Sequence, residues 1–214
     1  GDHEQGQDDD SDTDGCCWTH GGTLRAAIDR TDDRKSYGRR SGLSTRNGSA
    51  SVTIPAMAAL FALADLHLSL SGAKPMDIFG EAWVGHAAKM AERWDRRVGA
   101  DDDVLLPGDL SWARDLEEAA ADLGWIAERP GRKLLLRGNH DSWWSSASKV
   151  RRALHDSCTI LQNDAHLVAG RVVVGARGWT APDDPTAEPG DARIHERELG
   201  RLRSSIQFAD RAFG

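Results

Sequence analysis

The chain has 214 residues, 39% of them hydrophobic and 29% charged, and a formal net charge of -7. The length allows one sizeable core. The acidic balance argues against a generic nucleic-acid binder, which needs a basic surface to neutralise phosphates, while a small phosphorylated substrate stays compatible because bound metal ions supply positive charge locally. Three cysteines, Cys16, Cys17 and Cys158, make neither a disulfide framework nor a CxxC pair for zinc, so a reducing compartment is expected. The first residues are acidic rather than a signal peptide. The one candidate apolar stretch, 54–64, is too short to span a bilayer. Together these predict a soluble, cytoplasmic protein with no membrane partner.

Residues 1–55 are poor in large apolar side chains and rich in Asp, Gly, Ser, Thr and Arg. Such a segment buries too little to offset chain entropy and is expected to be a disordered tail, with Met57 a candidate native start. Its acidic block, 8–14, alternates carboxylates but lacks the glycine and closing glutamate of an EF-hand loop. Residues 56–214 read as one domain. A strand is expected at 58–64. A helix follows over 80–98, where Phe79, Trp83, Ala87, Met90, Ala91, Trp94 and Val98 recur at helical spacing. The second strand falls near 104–106, and a second helix covers 112–128, stopped by Pro130-Gly131. The third strand is 133–137, and Ser142 is the candidate cap of a helix over 145–155. Short strands at 159–162, 166–168 and 172–175 precede a final helix over 192–213. Strands separated by amphipathic helices imply parallel pairing with right-handed crossovers, hence an α/β fold.

Each of the first three strands ends in a polar motif. Asp65-x-His67 follows LFALA, Gly108-Asp109 follows VLLP, and Gly138-Asn139-His140-Asp141 follows LLLR. In open parallel sheets ligands bind outside the carboxyl ends of the strands. Asp65 and His67, two apart, share one side of an extended chain. Glycine at 108 lets the chain turn and aim Asp109 inward. Asn139 offers a neutral oxygen ligand, and His140 a proton donor for a leaving oxygen that a nearby carboxylate could orient. Each motif alone has a plainer reading, as a turn or a helix cap. Together, in this order, they describe a site for divalent cations. Trp112, Trp143, Trp144 and Trp179 near the motifs read either as packing or as a stacking surface. Arg177, between Gly175 and Gly178, reads either as a phosphate clamp or as the partner of an acidic neighbour.

The combination ADLH, PGDLSW and RGNHD resembles the first three motifs of the calcineurin-like metallophosphoesterase superfamily. DLHLSLSGAKPMDIFGEAW, LPGDLSWARDLEEA, RGNHDSWWSSASK and GARGW extend the likeness to a group of predicted bacterial phosphohydrolases, over essentially all of 57–214. The resemblance implies a layered α-β-β-α sandwich. It also implies two divalent metal ions (Mn, Fe or Zn), with Asp65 and His67 on the first, Asp109 bridging, Asn139 on the second, and His140 as general acid. A metal-bridging hydroxide would attack a phosphate mono- or diester. Two departures stand out. The superfamily's later histidine motifs are absent, His155, His166 and His195 lying in no such context, so the domain is expected to be C-terminally incomplete. GDLSWAR replaces the GDxxDRG of the Ser/Thr protein phosphatases. The alternative reading is a non-catalytic scaffold or inactive fragment that binds at most one metal.

Overall fold

A computed structural model describes residues 58–72 and 74–214. The expected tail, 1–55, and the candidate start at Met57 lie outside the described residues. The fold is α/β. Strands β1 (Leu60–Ala62), β2 (Asp103–Leu106), β3 (Arg132–Leu135) and β4 (Cys158–Ile160) form a parallel sheet in the order β1-β2-β3-β4. Helices α1 (His86–Arg97), α2 (Ala120–Glu128) and α3 (Ala147–Ala153) occupy the three crossovers. An antiparallel hairpin of β5 (Ala165–Val168) and β6 (Arg171–Val174) and the long helix α4 (Asp191–Phe213) complete the described chain.

The side-chain alternation of the sheet sorts the core into two layers. Val104 and Leu106 of β2, Leu135 of β3, and Cys158 and Ile160 of β4 share one face. They pack with Trp94 of α1, Leu123 and Ile126 of α2, and Val150 of α3. Leu105, Leu134, Leu136 and Leu161 take the opposite face, against Val168 and Val173 of the hairpin. α4 is tied to this side by Ser205, whose hydroxyl donates to Asp164 O at 2.6 Å and accepts from Gly175 N at 3.1 Å.

Several boundaries differ from the sequence expectation, each for a local reason. The helix expected over 80–98 begins only at His86. Before it run two 3-10 turns, Met76–Phe79 and Glu81–Trp83, because Gly80 (φ 120°) and Gly85 (φ 65°) take backbone angles no right-handed helix contains. The helix expected over 112–128 begins at Ala120. Trp112 N instead bonds Leu68 O at 2.9 Å, carrying the sheet contact beyond β2, and bends and turns fill 114–119 before the helix starts. The cap of α3 is Ser146, which accepts from Lys149 N. Ser142 instead donates its hydroxyl to Ala113 O at 3.0 Å. The segment expected to break the parallel pattern, 159–162, supplies β4, a fourth parallel strand.

Lys133 sits in the middle of the helix-facing layer, 2% exposed. Its ammonium donates to Ala127 O (3.2 Å), Arg129 O (2.7 Å) and Gly131 O (3.0 Å), satisfying carbonyls left open where α2 ends. Lys133→Met keeps the apolar stem and deletes all three donors. It should lower stability by about 1–3 kcal/mol, seen as an earlier urea midpoint at unchanged slope. An unmoved midpoint would show that the ammonium contributes nothing.

Candidate metal centre

The loops leaving β1 and β2 run side by side. Asp65 N bonds Gly108 O (3.1 Å), His67 N bonds Asp109 O (2.9 Å) and Leu68 N bonds Leu110 O (3.0 Å). Leu66 and Leu68 are fully buried, while Asp65 before them and His67 between them are half-buried. The two do not reach one side through an extended chain. Asp65 (φ 59°), His67 (φ 44°) and Asp109 (φ 53°) are all in the left-handed region, which costs an L residue roughly 1–2 kcal/mol each. These three candidate ligands are thus held on strained backbone. One ligand atom from each lies within 4.8 Å of the others.

Asp141 holds this geometry. Fully buried, it accepts five N–H donors: Asp109 N (3.0 Å), Leu110 N (2.8 Å), Ser111 N (3.2 Å), Gly138 N (2.7 Å) and Trp143 Nε1 (3.0 Å). It therefore clamps the β2 loop to the β3 loop and does not orient the His140 ring. The loops meet glycine to glycine. A Cβ on Gly108 would stand 2.7 Å from Gly138 Cα, and one on Gly138 would overlap Asp109 Oδ1 and N. Asp109 Oδ1 in turn accepts from His140 N at 2.9 Å. Asp109 caps no helix, since α2 begins at Ala120. From below, Asp122 accepts from the Ser111 hydroxyl and from Leu70 N (2.8 Å), pinning both loops to α2.

The electrostatics suit a cation. Burial pushes the Asp65 carboxyl up, and the neighbouring Asp109 carboxylate pushes it further. Burial pushes His67 down to about 4, helped by His140, His86 and Lys74 and opposed by Asp109. Its imidazole is therefore neutral at pH 7, the form that ligates metal. His67 Nδ1 is buried without a hydrogen-bond partner. Two carboxylates and a neutral imidazole fit a hard-to-borderline divalent ion such as Mn, Fe or Zn.

The other predicted residues are placed less tightly. Asn139 and His140 are exposed on the β3 loop. The His140 ring lies 5.8 Å from that of His67 and 4.8 Å from that of Trp112. Trp112 stacks on His67 at 4.9 Å and carries the Lys74 ammonium 3.5 Å from its ring centre, so it walls the site. Trp143 and Trp144, each 1% exposed, are core. Trp179 donates to Asp191 at 2.8 Å and is covered by Arg177. His155, His166 and His195 bond Ser157, Ile160 O and Trp179 O respectively and none joins the ligand cluster. Asp122, Lys74 and His86, whose Nε2 is buried without a hydrogen-bond partner, carry no sequence signal, because only tertiary contacts bring them here. A depression of about 350 Å³ between α2 and α3 is lined by none of these residues.

Comparisons with known proteins leave the family open. No family model matches the chain. The gene 66 protein of Mycobacterium phage L5 is 50% identical over 56 residues, 26% of this chain and 27% of that protein. The gene 66 protein of Mycobacterium phage D29 is 46% identical over 61 residues, 28% and 30%. The chain thus matches less than a third of the length of these curated relatives. Among solved structures, a protein of unknown function, AQ665, from Aquifex aeolicus shares 16% identity, with 72% of this chain and 73% of that one covered and a TM-score of 0.40. A likeness that weak carries no argument. Among the described residues no helix is long and apolar enough to cross a membrane.

Asp141→Asn puts an amide NH2 against backbone N–H groups. It should cost at least about 2 kcal/mol, since unsatisfied buried donors cost roughly 1–3 kcal/mol each. Gly138→Ala should retain the helical circular-dichroism signal but weaken manganese binding about tenfold or more, because the added methyl displaces Asp109. Wild-type manganese affinity in Gly138→Ala would contradict the close approach.

Proposed function

We propose that the chain carries the metal-binding part of a metal-dependent phosphoesterase that hydrolyses a small phosphate mono- or diester. We further propose that its fold is the layered α-β-β-α sandwich of the calcineurin-like metallophosphoesterases. The observation that carries this reading is the convergence of Asp65, His67 and Asp109, from the ends of adjacent parallel strands, on one point. The hairpin and α4 on the sheet face opposite α1–α3 support the sandwich. A cytoplasmic setting belongs to the same proposal, on cysteine usage; Cys158 is a buried free thiol.

Asp65, His67 and Asp109 would hold the first ion, with Asp109 and Asn139 left for a second. A divalent ion supplies Lewis acidity toward a phosphoryl oxygen and lowers the pKa of water toward about 7. The chain's own residues do the rest. The neutral His67 is available as a ligand without losing a proton. His140, exposed and steered by its backbone bond to Asp109 and by the Trp112 ring, stands where it can donate a proton to a departing oxygen. Lys74, against Trp112, adds a positive charge that attracts an anionic ester.

A second reading, a non-catalytic scaffold with at most one metal, is favoured by one observation. Among the described residues, one group of His, Cys, Asp and Glu side chains, that of Asp65, His67 and Asp109, could hold an ion. Two variants separate the readings. Asp109→Ala should lose metal and phosphatase activity together. His140→Ala should keep its metal content and slow turnover of esters with poor leaving groups by about 10²–10⁴-fold. A metal-loaded wild type inert toward a broad phosphate-ester panel would favour the scaffold. Loss of metal in His140→Ala would refute its role as acid.

A further inference from the structure

A second polar cluster lies at the carboxyl end of β3, and the function proposed above does not use it. Arg137 is the residue just before Gly138-Asn139-His140, and with Arg177, Glu198 and Arg201 it lines a cleft roofed by Leu136 and Leu161. Glu198 is 4% exposed. Its Oε1 accepts from Arg177 Nη2 at 3.3 Å, Arg197 Nη2 at 3.1 Å and Arg201 Nη1 at 2.9 Å. Three guanidiniums therefore crowd one carboxylate oxygen, and Arg137 adds a fourth positive charge. Arginine cannot shed its proton to relieve this. The Arg177 side chain is 7% exposed, and the Nε atoms of Arg177 and Arg137 are both buried without a hydrogen-bond partner. A network that only anchored α4 would balance its charge and satisfy its donors, because buried unpaired charge and unmade hydrogen bonds are costly. This one has positive charge and donors to spare.

We propose that Arg137, Arg177 and Arg201, oriented by Glu198, form a binding site for a tetrahedral oxyanion, either free phosphate or the phosphoryl group of a small ester. Guanidinium forks match the geometry of such oxygens. Glu198 acts as a positioning residue, holding the arginines against their mutual repulsion. The enclosed space is about 10 Å³, room for one water. An anion therefore reaches Arg137 and Arg177 only when the more exposed side chains of Arg201 and Arg197, 28% and 51% exposed, move outward. The site needs no metal and does not depend on the phosphoesterase reading.

The test uses the full chain stripped with chelator. Inorganic phosphate is titrated against chloride at constant ionic strength and read by melting temperature and calorimetry. Wild type should show saturable one-site binding. Arg137→Gln and, as a more exposed second variant, Arg201→Gln should each weaken it about tenfold or more, the loss of one charge-assisted contact. Their melting temperatures without phosphate should match or exceed that of wild type, because each variant relieves repulsion. Asp109→Asn should bind phosphate as wild type does, so failure of the metal centre would leave this result intact. Glycerol phosphate binding as tightly as inorganic phosphate would assign the site to an ester's phosphoryl group; binding of inorganic phosphate alone would assign it to the free ion. Absence of saturable binding, wild-type phosphate affinity in both arginine variants, or loss of binding in Asp109→Asn would overturn the proposal.

Discussion

The candidate metal centre depends on one buried carboxylate, that of Asp141. Burying a charge costs several kcal/mol unless it is fully hydrogen-bonded, and here five N–H groups surround it. Four of them are backbone amides, from Asp109, Leu110, Ser111 and Gly138, so the carboxylate fixes main chain as well as a side chain. Two loops from adjacent strands are drawn together until only glycine fits between them, at 108 and 138. Asp109 then sits in a left-handed conformation that its own sequence would not choose, with its side chain directed at Asp65 and His67. The clamp offsets the strain, which is concentrated at the residues with chemistry to perform.

The sheet makes that clamp reachable. β1, β2 and β3 pair in register, Leu60 with Asp103 and Asp103 with Arg132, so their carboxyl ends open on one edge within a few ångströms of each other. Parallel pairing requires crossovers, and the crossovers supply α1, α2 and α3 to one layer of the core. α2 closes the arrangement from its first turn, where Asp122 holds the two loops, to its last, where Lys133 takes up its terminal carbonyls. Fold and site are thus coupled through a few buried charges. The same region carries the arginine cluster around Glu198 on the other side of the β3 loop, so the carboxyl end of β3 separates an acidic pocket from a basic one.

Much of this was legible in the sequence. Short apolar runs ending in DLH, GD and GNHD point to the strands, their parallel order and the candidate ligands Asp65, His67 and Asp109, because strand ends and polar motifs are local features. Helix starts were misplaced where tertiary contacts overrode periodicity. Trp112 begins the expected helix but is tied to Leu68 instead, and Gly80 and Gly85 interrupt an otherwise continuous apolar face. The role of Asp141 has no signal in the sequence, because its hydrogen bonds run to backbone groups thirty or more residues away as well as to its own loop. Asp122 and His86 had no readable signal at all. Arg177, which its sequence context allows as phosphate clamp or ion-pair partner, pairs with Glu198, though that pairing leaves its Nε unsatisfied.

The central claim is that Asp65, His67 and Asp109 hold one divalent cation, and anomalous diffraction from manganese-loaded crystals tests it most directly. The account predicts a strong anomalous peak bound by one oxygen from each aspartate and one imidazole nitrogen of His67, at about 2.0–2.2 Å as expected for nitrogen and oxygen ligands on a first-row ion. A map with no peak there under saturating manganese, or with manganese held by other side chains, would contradict it.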